Sequence, residues 1–209
     1  MFFRFLIGTG ANRKSVYTGM LINVHGLKNV SNASLNSLGD DRFALACLEN
    51  KDVNIDTELS NITTKDMSIL KKLTGNQPIR IQKQQYAYDT VLHAKLIFNA
   101  NQLPVNPDNS NAHYRREIPL SFPFQFEGER EDPYLLQKLS TKEELSEIFN
   151  IIVHNLKTIV AKNQRIRINK KTIKERREKA ELIRNPIQAF IDKTIAKDSV
   201  DSDYEKRIS

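Results

Sequence analysis

The first apolar positions form a short run, Phe2, Phe3, Phe5, Leu6 and Ile7, which predicts a buried strand. Gly8-Thr9-Gly10 breaks it, and Val16, Met20, Leu21 and Val24 then recur at helical spacing. Leu35, Leu38, Phe43, Leu45 and Leu48 predict a broken helix over 34–48, with a turn at Gly39-Asp40. Residues 53–58 (VNIDTE) alternate as a strand does and carry acids at their C-terminal end. Thr63 or Thr64 with Asp66 opens a helix through Met67, Leu70 and Leu73, which Gly75 ends. Residues 79–88 (IRIQKQQYAY) alternate again and read as a hairpin; 91–99 (VLHAKLIFN) is the next strand, terminated by Gln102-Leu103-Pro104.

Beyond this, 106–111 is a polar surface loop, and 118–122 (IPLSF) is an edge strand because Pro119 cannot donate to a ladder. A connector with two further prolines covers 122–133. The period then becomes helical. Ser140 with Glu143, or Thr141 with Glu144, makes a capping box. Leu145, Ile148, Phe149, Ile152, Leu156, Ile159 and Val160 form an amphipathic stripe. A basic segment over 162–184 stays largely helical up to Asn185-Pro186, 186–195 starts another helix, and the last dozen residues are polar. There are no internal repeats. Strands alternating with helices, then helices alone, predict an α/β sheet domain with a helical tail.

Composition narrows the class. The 209 residues, 39% of them hydrophobic, suffice for one full domain with a core. The single cysteine, Cys47, excludes an internal disulfide and sits in an apolar pattern that predicts a core position. No stretch approaches the ~20 apolar residues of a membrane span. The N-terminal MFFRFLI lacks the long apolar region of a signal peptide, so a cytoplasmic protein is expected. The net charge of +7 has one source: ten Lys or Arg against three Glu between Lys162 and Arg184, a local excess of seven. Such a segment attracts polyanions or simply solvates a helix face.

The candidate chemistry lies at the strand ends. Strand, glycine turn, Lys14-Ser15 and helix have the order of a phosphate-binding loop. Its glycines let backbone N–H groups approach phosphate, the helix N-terminus adds positive partial charge, lysine reaches the terminal phosphates and serine ligates Mg²⁺. Gly8, Lys14 and Ser15 match G-x-x-x-x-G-K-[ST], while Arg13 stands where the second glycine belongs. An ordinary strand-to-helix turn accounts for the same residues. Asp56 and Glu58 follow a strand, where one acid can hold a metal and another polarise water, or where both are solvated turn residues. Phe98-Asn99-Ala100-Asn101 offers an amide at the end of another strand. Loop, acid, amide and paired arginine in one order are together more specific than any of them alone.

In that order the stretches LKKLTGNQPI, AKLIFNANQLP and YRREIPLSF resemble the superfamily 3 helicases. More narrowly, the chain is similar to the C-terminal motor of phage, plasmid and poxvirus primase-helicases, over roughly residues 3–126. The resemblance implies an AAA+-like P-loop NTPase core over 1–135. A basic helical extension over 136–184 and the start of a winged-helix-like region over 185–209 would follow. It implies an ATP- and Mg²⁺-dependent motor that translocates on single-stranded DNA as a ring, usually a hexamer. Gly8, Gly10, Asn12, Lys14 and Ser15 match the phosphate-binding motif, with Ser15 on Mg²⁺. Glu58 matches the catalytic acid, Asp56 its companion on the metal, and Asn101 the sensor asparagine. Arg116 matches the arginine that reaches a neighbouring subunit's ATP, with Arg115 the runner-up. In the hairpin between acid and sensor, Arg80 and Lys83 are the candidate DNA contacts, with Tyr86 for stacking.

Two departures shape the expectation. An arginine at position 13 replaces a glycine that lets the backbone wrap the phosphates, so impaired ATP binding is expected. The chain also starts seven residues before Gly8 and reads as a motor excised from a longer protein. An active helicase motor and a non-hydrolysing remnant that binds nucleic acid or joins an intact helicase both stand. A small-molecule kinase is disfavoured by the N-x-L-P and Arg-Arg motifs. His25, His93, His113 and His154 show no metal spacing and are expected in structural or surface roles.

Overall fold

The computed structural model describes residues 2–59, 68–104, 110–162 and 172–185, together with 187 and 191. The expected helix start at Thr63–Asp66, most of the 106–111 loop and nearly all of the 185–209 region lie outside the described residues.

The apolar runs become β1 (Phe3–Ile7), β2 (Val30–Ser31), β3 (Val53–Leu59), β4 (Ile79–Gln82), β5 (Ala87–Thr90), β6 (Lys95–Ala100) and β7 (Glu117–Ser121). Five of these form one sheet in the order β2-β3-β6-β1-β7, with every pairing parallel. β4 and β5 form a separate antiparallel hairpin, as the 79–88 alternation predicts. Helices are α1 (Lys14–His25), α2 (Leu35–Asp40), α3 (Ser68–Thr74), α4 (Asn111–Tyr114), α5 (Leu135–Leu139), α6 (Lys142–Ala161) and α7 (Ile173–Arg184).

Alternation along the strands gives the sheet two buried faces. On one, Phe3, Phe5, Leu96 and Phe98 pack with Leu38 of α2, Leu70 and Leu73 of α3, Ile81 of the hairpin and Ala180 of α7. On the other, Leu6, Val53, Ile55 and Ile97 meet Tyr17, Leu21 and Ile22 of α1. β7 is an edge strand and tolerates Pro119 there.

Several elements differ from the pattern reading. Residues 91–94 are not strand; Leu92 and Ala94 are buried in an irregular approach to β6. Their apolar character reflects burial rather than period. Cys47 is exposed, because the 3₁₀ turn Ala44–Leu48 points Ala44, Leu45 and Leu48 inward instead. Thr141, not Ser140, caps α6, accepting from the Glu144 N–H at 3.3 Å. The apolar stripe of α6 is real, yet no residue of that helix is buried, and Phe149, Ile152, Leu156 and Val160 stay exposed.

α7 docks on the α4–β7 edge through charge. Arg184 Nη2 donates to Glu117 Oε1 at 2.7 Å, with both side chains almost fully buried, and its Nε donates to the Pro104 carbonyl at 2.9 Å. Tyr114 donates to Glu181 at 2.5 Å, and burial pushes its phenol up to about 12. His113 is fully buried with Nε2 at 3.3 Å from Glu117 Oε2. A structural role for this histidine agrees with its lack of metal spacing.

Candidate phosphate-loop site

β1 lies between β6 and β7, and the chain leaves its two sides in opposite directions: β1 connects through α1 to distant β2, and β6 through α4 to β7. A crevice opens at the carboxyl ends of strands where the order reverses in this way. The segment from Gly8 to Arg13 fills that position and runs directly into α1.

The turn is held by specific contacts. Gly8 N–H donates to the Ala100 carbonyl at 3.2 Å. A Cβ on Gly8 would collide with the Asn12 amide and lie 2.6 Å from the Phe122 carbonyl oxygen, so only glycine fits. Gly10, Ala11 and Arg13 all take positive φ, 70°, 45° and 65°. Arg13 thus adopts the left-handed backbone that a glycine would favour at this place. Asn12 is buried; its Oδ1 accepts from the Lys14 N–H at 3.3 Å, while its Nδ2 has no hydrogen-bond partner among the described residues.

Lys14 is buried at the start of α1, and its ammonium donates to the Gly8 carbonyl and, at 3.2 Å, to the Ala100 carbonyl. Burial without a carboxylate partner holds its pKa below the ordinary lysine value. Two neutral carbonyls leave the charge uncompensated, which is the condition under which an arriving phosphate gains most.

A cavity of about 490 Å³ lies over this turn, lined by Gly10–Val16, Thr57–Leu59, Asn99–Asn101 and, from the connector, Phe126, Glu127 and Glu131. Gly10, Asn12, Lys14, Ser15, Glu58 and Asn101 therefore converge, though 43 residues of chain separate Ser15 from Glu58 and again Glu58 from Asn101. Glu58 gets there through a bulge. Asp56 pairs with Phe98 but Leu59 with Ala100, so β3 has one residue too many for regular pairing, and Thr57 and Glu58 are turned outward. Asp56 is buried on the sheet face shared with Phe98 and is not among the cavity-lining residues. Burial pushes its carboxyl above the usual carboxylate range, and Oδ2 lacks a partner among the described residues. Gly8 supports the turn from beneath rather than lining it.

Two lining features escape the pattern reading. Asn99, inside β6, is buried and leaves its Oδ1 without a partner among the described residues. Its signal was the first asparagine of FNAN, facing the α1 side beside Leu6 in register. The connector wall has no motif at all. Arg13 creates it by donating to the Asp132 carbonyl at 2.7 Å and the Arg130 carbonyl at 3.3 Å.

The other candidates lie elsewhere. Arg116 precedes β7 at the N-terminal end of the sheet, since Glu117 pairs with Phe3. At ~3.3 Å per residue, the five residues of β1 separate it from the loop by roughly 16 Å along the strand direction. Its guanidinium donates to the Ala112 carbonyl at 2.7 Å, and Arg115 is exposed. In the hairpin, Lys83 is 2.6 Å from Glu49 and Arg80 3.5 Å from Asp89, so both candidate DNA contacts are already paired. Hydrogen bonds to Glu49 and Tyr88 raise the Lys83 pKa, which keeps its ammonium charged beside the Glu49 carboxylate. Among the described residues there is no group of three or more His, Cys, Asp or Glu side chains able to hold a metal, and no helix is long and apolar enough to cross a membrane.

Fold and turn together define an open parallel α/β sheet with a polar crevice at its switch point. Residues 6–116 match a family of unknown function (DUF5906), and the chain belongs to that family. No curated protein matches it. The NrS-1 C-terminal region is similar in structure, at TM-score 0.55 and 19% identity over 69% of this chain and 35% of that one. A second apo structure of that region gives TM-score 0.54 at 17% identity, covering 68% and 35%. A JCV helicase gives TM-score 0.39 at 16% identity, covering 69% and 39%. The chain thus spans about a third of the length of the NrS-1 region, whose likeness shows the shared α/β fold.

Proposed function

We propose that the chain is the nucleotide-binding part of a superfamily 3-type DNA helicase motor that hydrolyses ATP. One observation carries this reading: the turn before α1, the bulged acid Glu58 and the post-strand amide Asn101 converge on one cavity at the sheet's switch point. The loop N–H groups and Lys14 would take the phosphates. Glu58 would accept a proton from the attacking water as its oxygen bonds the terminal phosphorus and the bond to the bridging oxygen breaks. Asn101 would orient that water.

Mg²⁺ fits the site, since Ser15 offers a hard oxygen ligand in the cavity and this ion is commonly held by few protein groups plus phosphates and water. It would supply charge neutralisation between the phosphates. Asp56, outside the cavity lining, would act indirectly, its Oδ1 accepting from the Glu58 N–H at 3.3 Å and positioning that residue. Arg116, far from its own cavity, suits a role at a neighbouring subunit's nucleotide and hence a ring. Single-stranded DNA remains the proposed track. The paired Lys83 and Arg80 make the exposed hairpin tip, with Tyr86, a better contact than those two charges.

A second reading, a non-hydrolysing remnant that binds nucleic acid or joins an intact helicase, is favoured by Arg13 in the left-handed position and by the carbonyl-tethered Lys14. The test is ATP hydrolysis with and without single-stranded DNA. The motor reading expects DNA-stimulated turnover, reduced at least ~100-fold by Lys14→Ala or Glu58→Gln. DNA binding with no nucleotide binding would favour the remnant.

A further inference from the structure

The cavity lining combines two chemistries: the loop backbone with Lys14 and Ser15, and the Phe126 ring with the side chains of Glu127 and Glu131. The carboxylates repel phosphate, so the part of the lining they supply suits an uncharged group that donates hydrogen bonds.

This part of the lining belongs to a strap, residues 122–132, fastened along the turn. Phe122 N–H donates to the Ile7 carbonyl at 2.7 Å and Phe126 N–H to the Ala11 carbonyl at 2.8 Å. Arg13 ties down the far part through the Asp132 and Arg130 carbonyls, and its guanidinium carbon lies 5.6 Å from the centre of the Phe126 ring. The Asp132 carboxylate takes Lys138 of α5 at 2.8 Å, anchoring the strap's end. Phe126 is therefore fixed beside the cavity while 36% exposed.

We propose that the strap forms a nucleoside subsite. Phe126 offers a ring face to a base, and Glu127 and Glu131 accept from ribose hydroxyls or a base amino group. Arg13 is then the fastener of this subsite rather than an obstruction of the phosphate site. The inference rests on the reading of the turn as a phosphate site and adds which part of the ligand lies where.

Calorimetry of the full chain with ATP and with inorganic tripolyphosphate tests it. Base stacking on an aromatic ring is worth about 1–3 kcal/mol, or about 5–150-fold in affinity. Phe126→Ala and the equally apolar but ringless Phe126→Leu should each weaken ATP at least about fivefold and tripolyphosphate less than about twofold. Equal losses for both ligands, or no loss for ATP, would overturn the subsite. Lys14→Ala should weaken both ligands alike. If the native chain binds neither, the phosphate-site reading itself fails and the subsite falls with it.

Discussion

Replacing Arg13 separates its backbone role from its side-chain role. At φ 65° and ψ 14°, a non-glycine residue carries about 1 kcal/mol of strain or more. Glycine would relieve that strain while adding about 0.5–1 kcal/mol of chain entropy to the unfolded state. The side chain contributes two charge-assisted hydrogen bonds, at 2.7 and 3.3 Å, and the approach to Phe126. Discounted for a half-exposed site, these contacts are worth about 1.5–2.5 kcal/mol. Arg13→Ala keeps the strain and loses the contacts, so that full amount should go. Arg13→Gly should lose less than alanine by about 0.5 kcal/mol. For a chain of this length the alanine variant should melt about 3–10 °C lower. Thermal denaturation of both variants, with limited proteolysis of residues 122–132, measures the two effects. Both variants melting within about 1 °C of the native chain, with the strap cleaved no faster, would refute this account of Arg13.

The buried Arg184–Glu117 pair should matter more than any surface charge. Glu117→Gln leaves Arg184 only the partly exposed Glu181 carboxylate at 2.9 Å, costs about 2–4 kcal/mol and lowers the urea midpoint, whereas an unchanged midpoint would mean that α7 is not held by this pair. Asp56 makes a prediction in pH. Its folded pKa is raised, so the folded state binds the extra proton and stability falls as pH rises from below the ordinary carboxylate range through the folded value. Asp56→Asn should therefore be the more stable form near pH 7 and show no advantage near pH 2, as read from denaturation midpoints; no gain at neutral pH would contradict the burial argument.

Strands and chemistry were legible where period and chemistry coincide. Phe3–Ile7 with its glycine turn, Glu58 at a strand end and Asn101 before Leu103-Pro104 all announce themselves locally, and the fold brings them together. What was hidden is non-local. The bulge that turns Glu58 outward exists only in the pairing of β3 with β6. Asp56 alternates into place as a metal companion, yet that pairing sends it to the other face. Arg13 reads as a defect in a motif, because its partners lie 117 and 119 residues away and are backbone carbonyls without side-chain identity. Lys83 and Arg80 read as free cations because Glu49 and Asp89 meet them only across the hairpin and its neighbouring turn. The two-residue β2 and the four-residue α4 are too short to show a period.

The central claim is that the Lys14 turn and Glu58 form one ATP-hydrolysing site. It is tested most directly by the steady-state rate of phosphate release from ATP, measured for the native chain beside Lys14→Ala and Glu58→Gln. The account predicts turnover in the native chain that both substitutions abolish. Turnover that survives both, or none in the native chain under saturating ATP and single-stranded DNA, would contradict it.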